Sequence, residues 1–150
     1  MSKKQMGFAL IEIVMVLVLL GILSAVAVPK YFDLRDKAEQ KTAQAFVAEV
    51  QARLNGAFAQ ALLDGDACKN PGADKEGARL KGIKEANKTT SDAFEFTTQL
   101  AEEDKGGLKT IAIKSKNSGV TYTFGTDAKA TTYIPQISVP LCSKGDGTEE

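Results

Sequence analysis

Three side chains in this 150-residue sequence stand where their chemistry matters most: the carboxylate of Glu12 and the thiols of Cys68 and Cys142. Glu12 lies in Phe8-Ala9-Leu10-Ile11-Glu12, at the start of a run to Val28 whose other residues are all apolar or small apart from Ser24. A run of about 20 such residues is long enough to cross the hydrocarbon of a bilayer as a helix. A charge at the centre of that helix costs roughly 2.5–3.5 kcal/mol on insertion scales, and less towards one end. An acid kept against that cost is a functional candidate, and what it needs is a cation.

Cys68 and Cys142 are too far apart for a CxxC redox motif, and with no histidine in the chain they make a poor zinc site. Two readings stay open: a pair of buried thiols, or a disulfide if the domain lies outside the cytoplasmic membrane. In the loop-entropy model a cross-link over that span stabilises by roughly 4 kcal/mol. The absence of histidine also removes Ser-His-Asp and Cys-His catalysis, and no glycine-rich phosphate loop of the Walker type is present. Asp64, Asp66 and Asp146 could share a calcium ion through carboxylate oxygens, but solvated helix-end and tail residues are the simpler reading. Glu102-Glu103 and Glu149-Glu150 read the same way. Nineteen basic against nineteen acidic side chains leave no excess of the kind that marks a dedicated nucleic-acid binder. The expectation is a non-enzyme with no cofactor and no metal.

The elements that position these groups follow from periodicity. From Lys30 to about Leu63, Ala43, Phe46, Val47, Val50, Leu54, Ala57, Phe58, Ala61 and Leu62 recur at steps of three and four, one apolar face of an amphipathic helix. Pro29 could kink a helix continuing from the apolar run or open a second one. With no turn cluster between the segments, continuity with a bend is expected. Asp64-Gly65-Asp66 should stop the helix. Residues 64–92, punctuated by Asn70-Pro71-Gly72, Gly77 and Gly82, read as an irregular connection.

Beyond it the period changes to two. Phe94 and Phe96 alternate, Gly106-Gly107 turns the chain, Ile111 and Ile113 alternate, and Asn117-Ser118-Gly119 turns it again. Val120, Tyr122 and Phe124 then point one way. Tyr133 to Val139 is a fourth strand, confined to an edge by Pro135 and Pro140. The fold class is α+β: a long N-terminal helix whose second half covers a small antiparallel sheet over 93–140, with a polar tail over 141–150.

A short basic leader with Lys3 and Lys4, then Gly7, Phe8-Ala9-Leu10-Ile11-Glu12, a long apolar run containing Gly21 and Pro29, and a helical continuation together resemble the type IV pilin family and its relatives, the type II secretion pseudopilins. The likeness is specific over residues 1 to about 40 and architectural afterwards. Ala9 stands where threonine is common in the family. The resemblance implies a leader of residues 1–7, removed by prepilin peptidase between Gly7 and Phe8, and N-methylation of Phe8. It implies a membrane and assembly segment over 8–28 and a head over 29–150. Glu12 would pair with the new amine of a neighbouring copy, and the helix would loosen between Gly21 and Pro29 in the filament. The implied partners are further copies in a helical filament, an inner-membrane platform protein and an assembly ATPase. The chain would be stored in the inner membrane with its head in the periplasm, then displayed in a surface fibre.

Within the family, Pro29-Lys30-Tyr31-Phe32-Asp33-Leu34 followed by Arg35-Asp36-Lys37-Ala38 is similar to the mannose-sensitive haemagglutinin class of pilins. A cysteine just past the helix and another near the end are where pilins commonly carry a disulfide. The alternative is a pseudopilin or minor pilin. Two plainer readings compete with the family. Ala25-Val26-Ala27 offers a signal-peptidase site, though Glu12 would then interrupt the apolar region. A plain signal anchor leaves the Gly7, Phe8, Glu12 and Gly21 pattern as coincidence.

Overall fold

A computed structural model describes residues 3–68, 76–101, 107–125 and 137–142, with side chains described from Ala9 onward. The chain divides into two compact units, Met1–Glu39 and Gln40–Glu150. Helix α1 (Lys3–Leu63) begins in the first and ends in the second. It runs unbroken through Pro29, although proline brings no N–H to the carbonyl of Ala25.

Helix α1 stops where the glycine signal places the stop. The Asp66 N–H donates to the Ala61 carbonyl at 2.9 Å, the Gly65 N–H donates to the Leu62 carbonyl at 3.1 Å, and Gly65 takes φ 88°. These are the two bonds and the left-handed residue of a Schellman stop, a backbone state that glycine reaches without a Cβ penalty. Asp64 accepts from Gln60 at 3.0 Å and Asp66 from Lys81, so both carboxylates serve the end of the helix. No metal-ligating cluster exists among the described residues; Asp146 lies outside them.

The connection read as irregular over 64–92 contains a second helix, α2 (Ala78–Asn87). Gly77 and Gly82 suggested punctuation, but each has a different use. Gly77 is the N-cap residue, and the next two N–H groups donate back to the carbonyls of Ala67 and Cys68. Gly82 lets α2 approach α1: a Cβ there would lie 2.9 Å from the Leu54 carbonyl oxygen and 3.3 Å from Phe58 Cβ. Gly56, on α1, has nothing within 4 Å of the same added atom. The two glycines should therefore respond oppositely to an added side chain. Gly56→Ala should stabilise by about 0.5–1 kcal/mol through helix propensity. Gly82→Val should destabilise by about 1–3 kcal/mol, because a backbone oxygen cannot swing aside. Thermal melts of the two variants beside the parent check both signs.

The strands are β1 (Phe94–Thr98), β2 (Gly107–Lys109), β3 (Ile111–Ser115), β4 (Thr121–Phe124) and β5 (Ile137–Val139). They form two antiparallel sheets: a three-stranded one in the order β1-β3-β4 and a pair β2-β5. A single meander was expected, and Gly107 was read as a turn. It instead opens β2 with φ 92° and pairs with Val139, while Gly106 lies outside the described residues. Only Thr110 separates β2 from β3, and Gly125 packs so closely on it that an added Cβ would meet Thr110 Oγ1 at 2.1 Å. The hairpin turn between β3 and β4 is where Asn117-Ser118-Gly119 placed it. There the buried Ser115 hydroxyl accepts from the N–H groups of Asn117 and Ser118. Val120 belongs to that turn, its carbonyl accepting from Ser115 N–H, and it is exposed rather than facing inward with Tyr122 and Phe124. Of the expected fourth strand, Ile137–Val139 is present as β5 and, among the described residues, pairs with β2; Tyr133 and Pro135 lie outside the described residues.

The core joins the apolar face of α1 to α2 and both sheets. Val47, Val50, Leu54, Ile83, Ile111, Ile113, Phe124, Ile137 and Val139 are fully buried. Each such side chain is worth about 1.5–3 kcal/mol relative to exposure. Phe46 stacks on Phe94 at 6.0 Å between centroids and meets Phe96 at 5.5 Å, so one α1 side chain joins both aromatics of β1. Leu62 was assigned to this face and is exposed. Ala61, seven residues beyond Leu54, keeps the stripe, and the next position is turned about 100° away.

Candidate functional site

Two features of the chain carry its chemistry: the apolar part of α1, within the first unit, and the cross-linked C-terminal segment of the second.

From Leu10 to Leu34 every large apolar side chain of α1 is exposed, at 51–67% of its full surface. No stripe is covered, so the segment is apolar on all sides rather than amphipathic. A helix with this character belongs in a fully apolar surrounding. It is the one candidate membrane span among the described residues. Gly7 and Phe8 lie on the backbone of its first turns. Glu12 is exposed within the apolar surface, one turn beyond Phe8 and about 6 Å along the axis. Gly21 has open space around it.

In the second unit, Cys68 and Cys142 are joined, with Cα atoms 5.7 Å apart across 74 residues of sequence. The cross-link does not hold its segment alone. The Gln51 amide donates to the Ser138 carbonyl at 2.9 Å and accepts from the Ser138 N–H at 2.7 Å, pairing with β5 as a neighbouring strand would. Arg79 of α2 donates to the Pro140 carbonyl at 3.2 Å. Asn87 repeats the arrangement on Leu100, donating to its carbonyl at 2.9 Å and accepting from its N–H at 3.1 Å. Sequence reading missed these residues. A polar side chain beside a buried stripe reads as solvated face, and nothing local marks which distant backbone it will meet. Gln51→Leu should cost about 1–2 kcal/mol, since two hydrogen bonds go but water can reach the edge. The check is faster amide exchange confined to β5, with the disulfide intact.

Between the end of α1 and α2 lies an open cleft edged by Lys81, Lys84 and Lys88. Each lysine is already paired: Lys81 with Asp66, Lys84 with Glu76 and Lys88 with Glu85. The hydrogen bond to Asp66 holds the Lys81 ammonium above the ordinary lysine range, against a smaller opposing effect of desolvation. The cleft is therefore internally neutralised.

No protein-family profile and no solved structure matches the chain. Among named proteins, it is 40% identical over 76 residues to the type IV narrow pilus major component PilA5 of Thermus thermophilus, covering 51% of this chain and 65% of that protein. It is 30% identical over 117 residues to a fimbrial protein of Pseudomonas aeruginosa, covering 78% of this chain and 73% of that protein. The chain belongs to the type IV pilin family. A shorter likeness, 33% identity over 55 residues, links this pilin to the type II secretion system core protein G of Dickeya chrysanthemi, over 37% of this chain and 36% of that one. The pilin matches thus extend well past the apolar segment, and the secretion-protein match covers a little over a third of the chain. The disulfide, the apolar helix and the α+β head all fit a pilin.

Proposed function

We propose that this chain is a structural subunit of a type IV pilus, without catalysis of its own. Its relatives are named as pilus and fimbrial components, but the observation that carries the reading is physical. The chain presents a helix from Leu10 to Leu34 with every large apolar residue exposed, ahead of a head with its own closed core. Such a helix is stable in lipid or among copies of itself, and a filament subunit needs both.

In this reading residues 1–7 are a leader that prepilin peptidase removes between Gly7 and Phe8, and Phe8 is then N-methylated. Lys3 and Lys4 mark the cytoplasmic side, and an oxidising compartment outside suits the Cys68–Cys142 bond. Residues 8–28 form the membrane and assembly segment and 29–150 the head. An inner-membrane platform protein and a cytoplasmic ATPase add subunits at the base of the fibre. Cleavage leaves an ammonium on Phe8, and Glu12 of an incoming copy meets the ammonium of one already placed. Two buried charges then neutralise each other. Desolvation offsets most of that attraction, so the pair selects stagger more than it adds stability. Adhesion comes from the Val, Leu, Ile and Met side chains around it. Gly21 and Pro29 bracket the weakest stretch of helical bonding, where the filament form loosens.

Mass spectrometry of sheared surface fibres tests this. The expected chain starts at methylated Phe8. A chain starting at Val28 would indicate a signal peptide, and one starting at Met1 or Ser2 a plain anchor. Gene deletion that spares surface fibres and abolishes exoprotein secretion would move the chain to the pseudopilins.

A further inference from the structure

The aromatic residues of the first unit are placed unevenly. None occurs between Phe8 and Tyr31, and Phe32 follows at once. Phe8 and Tyr31 are 23 residues apart, about 35 Å along a helix, which brackets the roughly 30 Å hydrocarbon layer. Tyr31 and Phe32 are exposed at 66% and 54%, and their rings meet edge to face at 6.1 Å. Charge starts at the same level: Lys30, Asp33, Arg35, Asp36 and Lys37 follow a run in which Glu12 alone is charged.

We propose that Tyr31 and Phe32 are an interfacial anchor whose partner is the headgroup–acyl boundary of the bilayer, fixing the depth at which the unassembled subunit is stored. This rests on the membrane reading above and adds a specific site to it. Aromatic rings are favoured at that boundary, where one edge meets hydrocarbon and the other water, and tyrosine adds a hydroxyl for the wet side. Cα–Cβ bonds in a helix tilt towards its N-terminus, so both rings lean back towards the apolar run. Adjacent residues project about 100° apart around the helix. One neighbouring helix, gripping a single stripe, meets only one of the two rings, whereas a lipid boundary surrounds the rod and takes both. The anchor resists sinking because the charges beyond it would have to enter hydrocarbon. It resists lifting because the rings would have to enter water.

The chain has no tryptophan, so a single introduced indole reports depth without background. Full-length Tyr31→Trp and Leu20→Trp chains are placed in phosphatidylethanolamine–phosphatidylglycerol vesicles whose acyl chains carry bromine either near the headgroup or near the tail end. Fluorescence at position 31 should be lost mainly to shallow bromine, and at position 20 mainly to deep bromine. Adding Tyr31→Ser and Phe32→Ser to the Leu20→Trp chain should shift its quenching away from the deep maximum. The anchor is overturned if position 20 reads deep while position 31 is quenched by aqueous iodide alone, an outcome that leaves those rings for contact between copies. It is equally overturned if the double serine change leaves the depth at position 20 unaltered. Failure of deep bromine to quench position 20 in the parent background would instead remove the membrane reading itself.

Discussion

Gly7→Val should leave cells with full-length precursor in the membrane and no fibres. The reading makes Gly7 the last leader residue, and a peptidase must bring its groups against the backbone on either side of the bond it cuts. Glycine leaves that approach open; a β-branched side chain obstructs it and restricts the conformations the backbone can offer. The consequence extends beyond the cut. Without a new amine on Phe8, Glu12 has no cation to meet in a neighbouring copy, and the penalty of about 2.5–3.5 kcal/mol for a charge in the apolar layer, less near its edge, has no compensation. The variant is therefore blocked twice, in processing and in assembly. The head should be untouched, because Gly7 lies in the Met1–Glu39 unit while the core is built from residues beyond Gln40. Gel mobility, the mass of the membrane-bound chain and fibre counts by electron microscopy make the check. A normally trimmed chain in the variant would remove the assigned cleavage site.

What could be read from the sequence and what could not divide along a physical line. A feature declared by local periodicity or by a backbone requirement was legible. The stripe from Ala43 to Leu54 is buried as its spacing requires, Gly65 ends α1 in a left-handed state, and Gly119 with φ 73° turns the hairpin. The character of residues 9–28 was equally plain, because hydrophobicity all round a helix needs no knowledge of the rest of the chain. Features set by tertiary approach were not legible. Helix α2 is short, contains Gly82 and is helical because its small face fits against Leu54 and Phe58. By propensity alone that glycine costs about 1 kcal/mol and argues against a helix. The amides of Gln51 and Asn87 are placed by residues 87 and 13 positions away. The change from one meander to two sheets lies in the pairing of β2 with the distant β5, a contact that no alternation records. In the candidate site, Glu12 stood out by its cost in an apolar run, while the counter-charge proposed for it lies on another copy of the chain, which no pattern within one sequence displays.

Glu12→Val separates that last point from every other role the apolar segment could have. The variant keeps Gly7 and Phe8, so it should be trimmed and methylated as the parent is. Its membrane span is more apolar, so it should insert at least as well. What changes is the difference between subunit states. On the proposed pairing, a parent subunit beside the wrong neighbour would carry an unneutralised carboxylate, and one at the correct stagger would not. On insertion scales that difference is at most the roughly 2.5–3.5 kcal/mol of a charge at the centre of the layer, and less for Glu12 near its end, so the preference is capped at about a hundredfold. Valine removes the difference while leaving the packing surface almost intact. Fibres should fall by roughly tenfold to a hundredfold, with mature subunit accumulating in the membrane. Glu12→Asp retains the charge on a shorter stem and should fall between the two. Counting fibres against the amount of trimmed subunit is the measurement that matters, because a simple loss of protein would lower both. If the valine chain builds as many fibres as the parent from the same pool, packing alone sets the stagger, and the acid must be there for something other than its neighbour's amine.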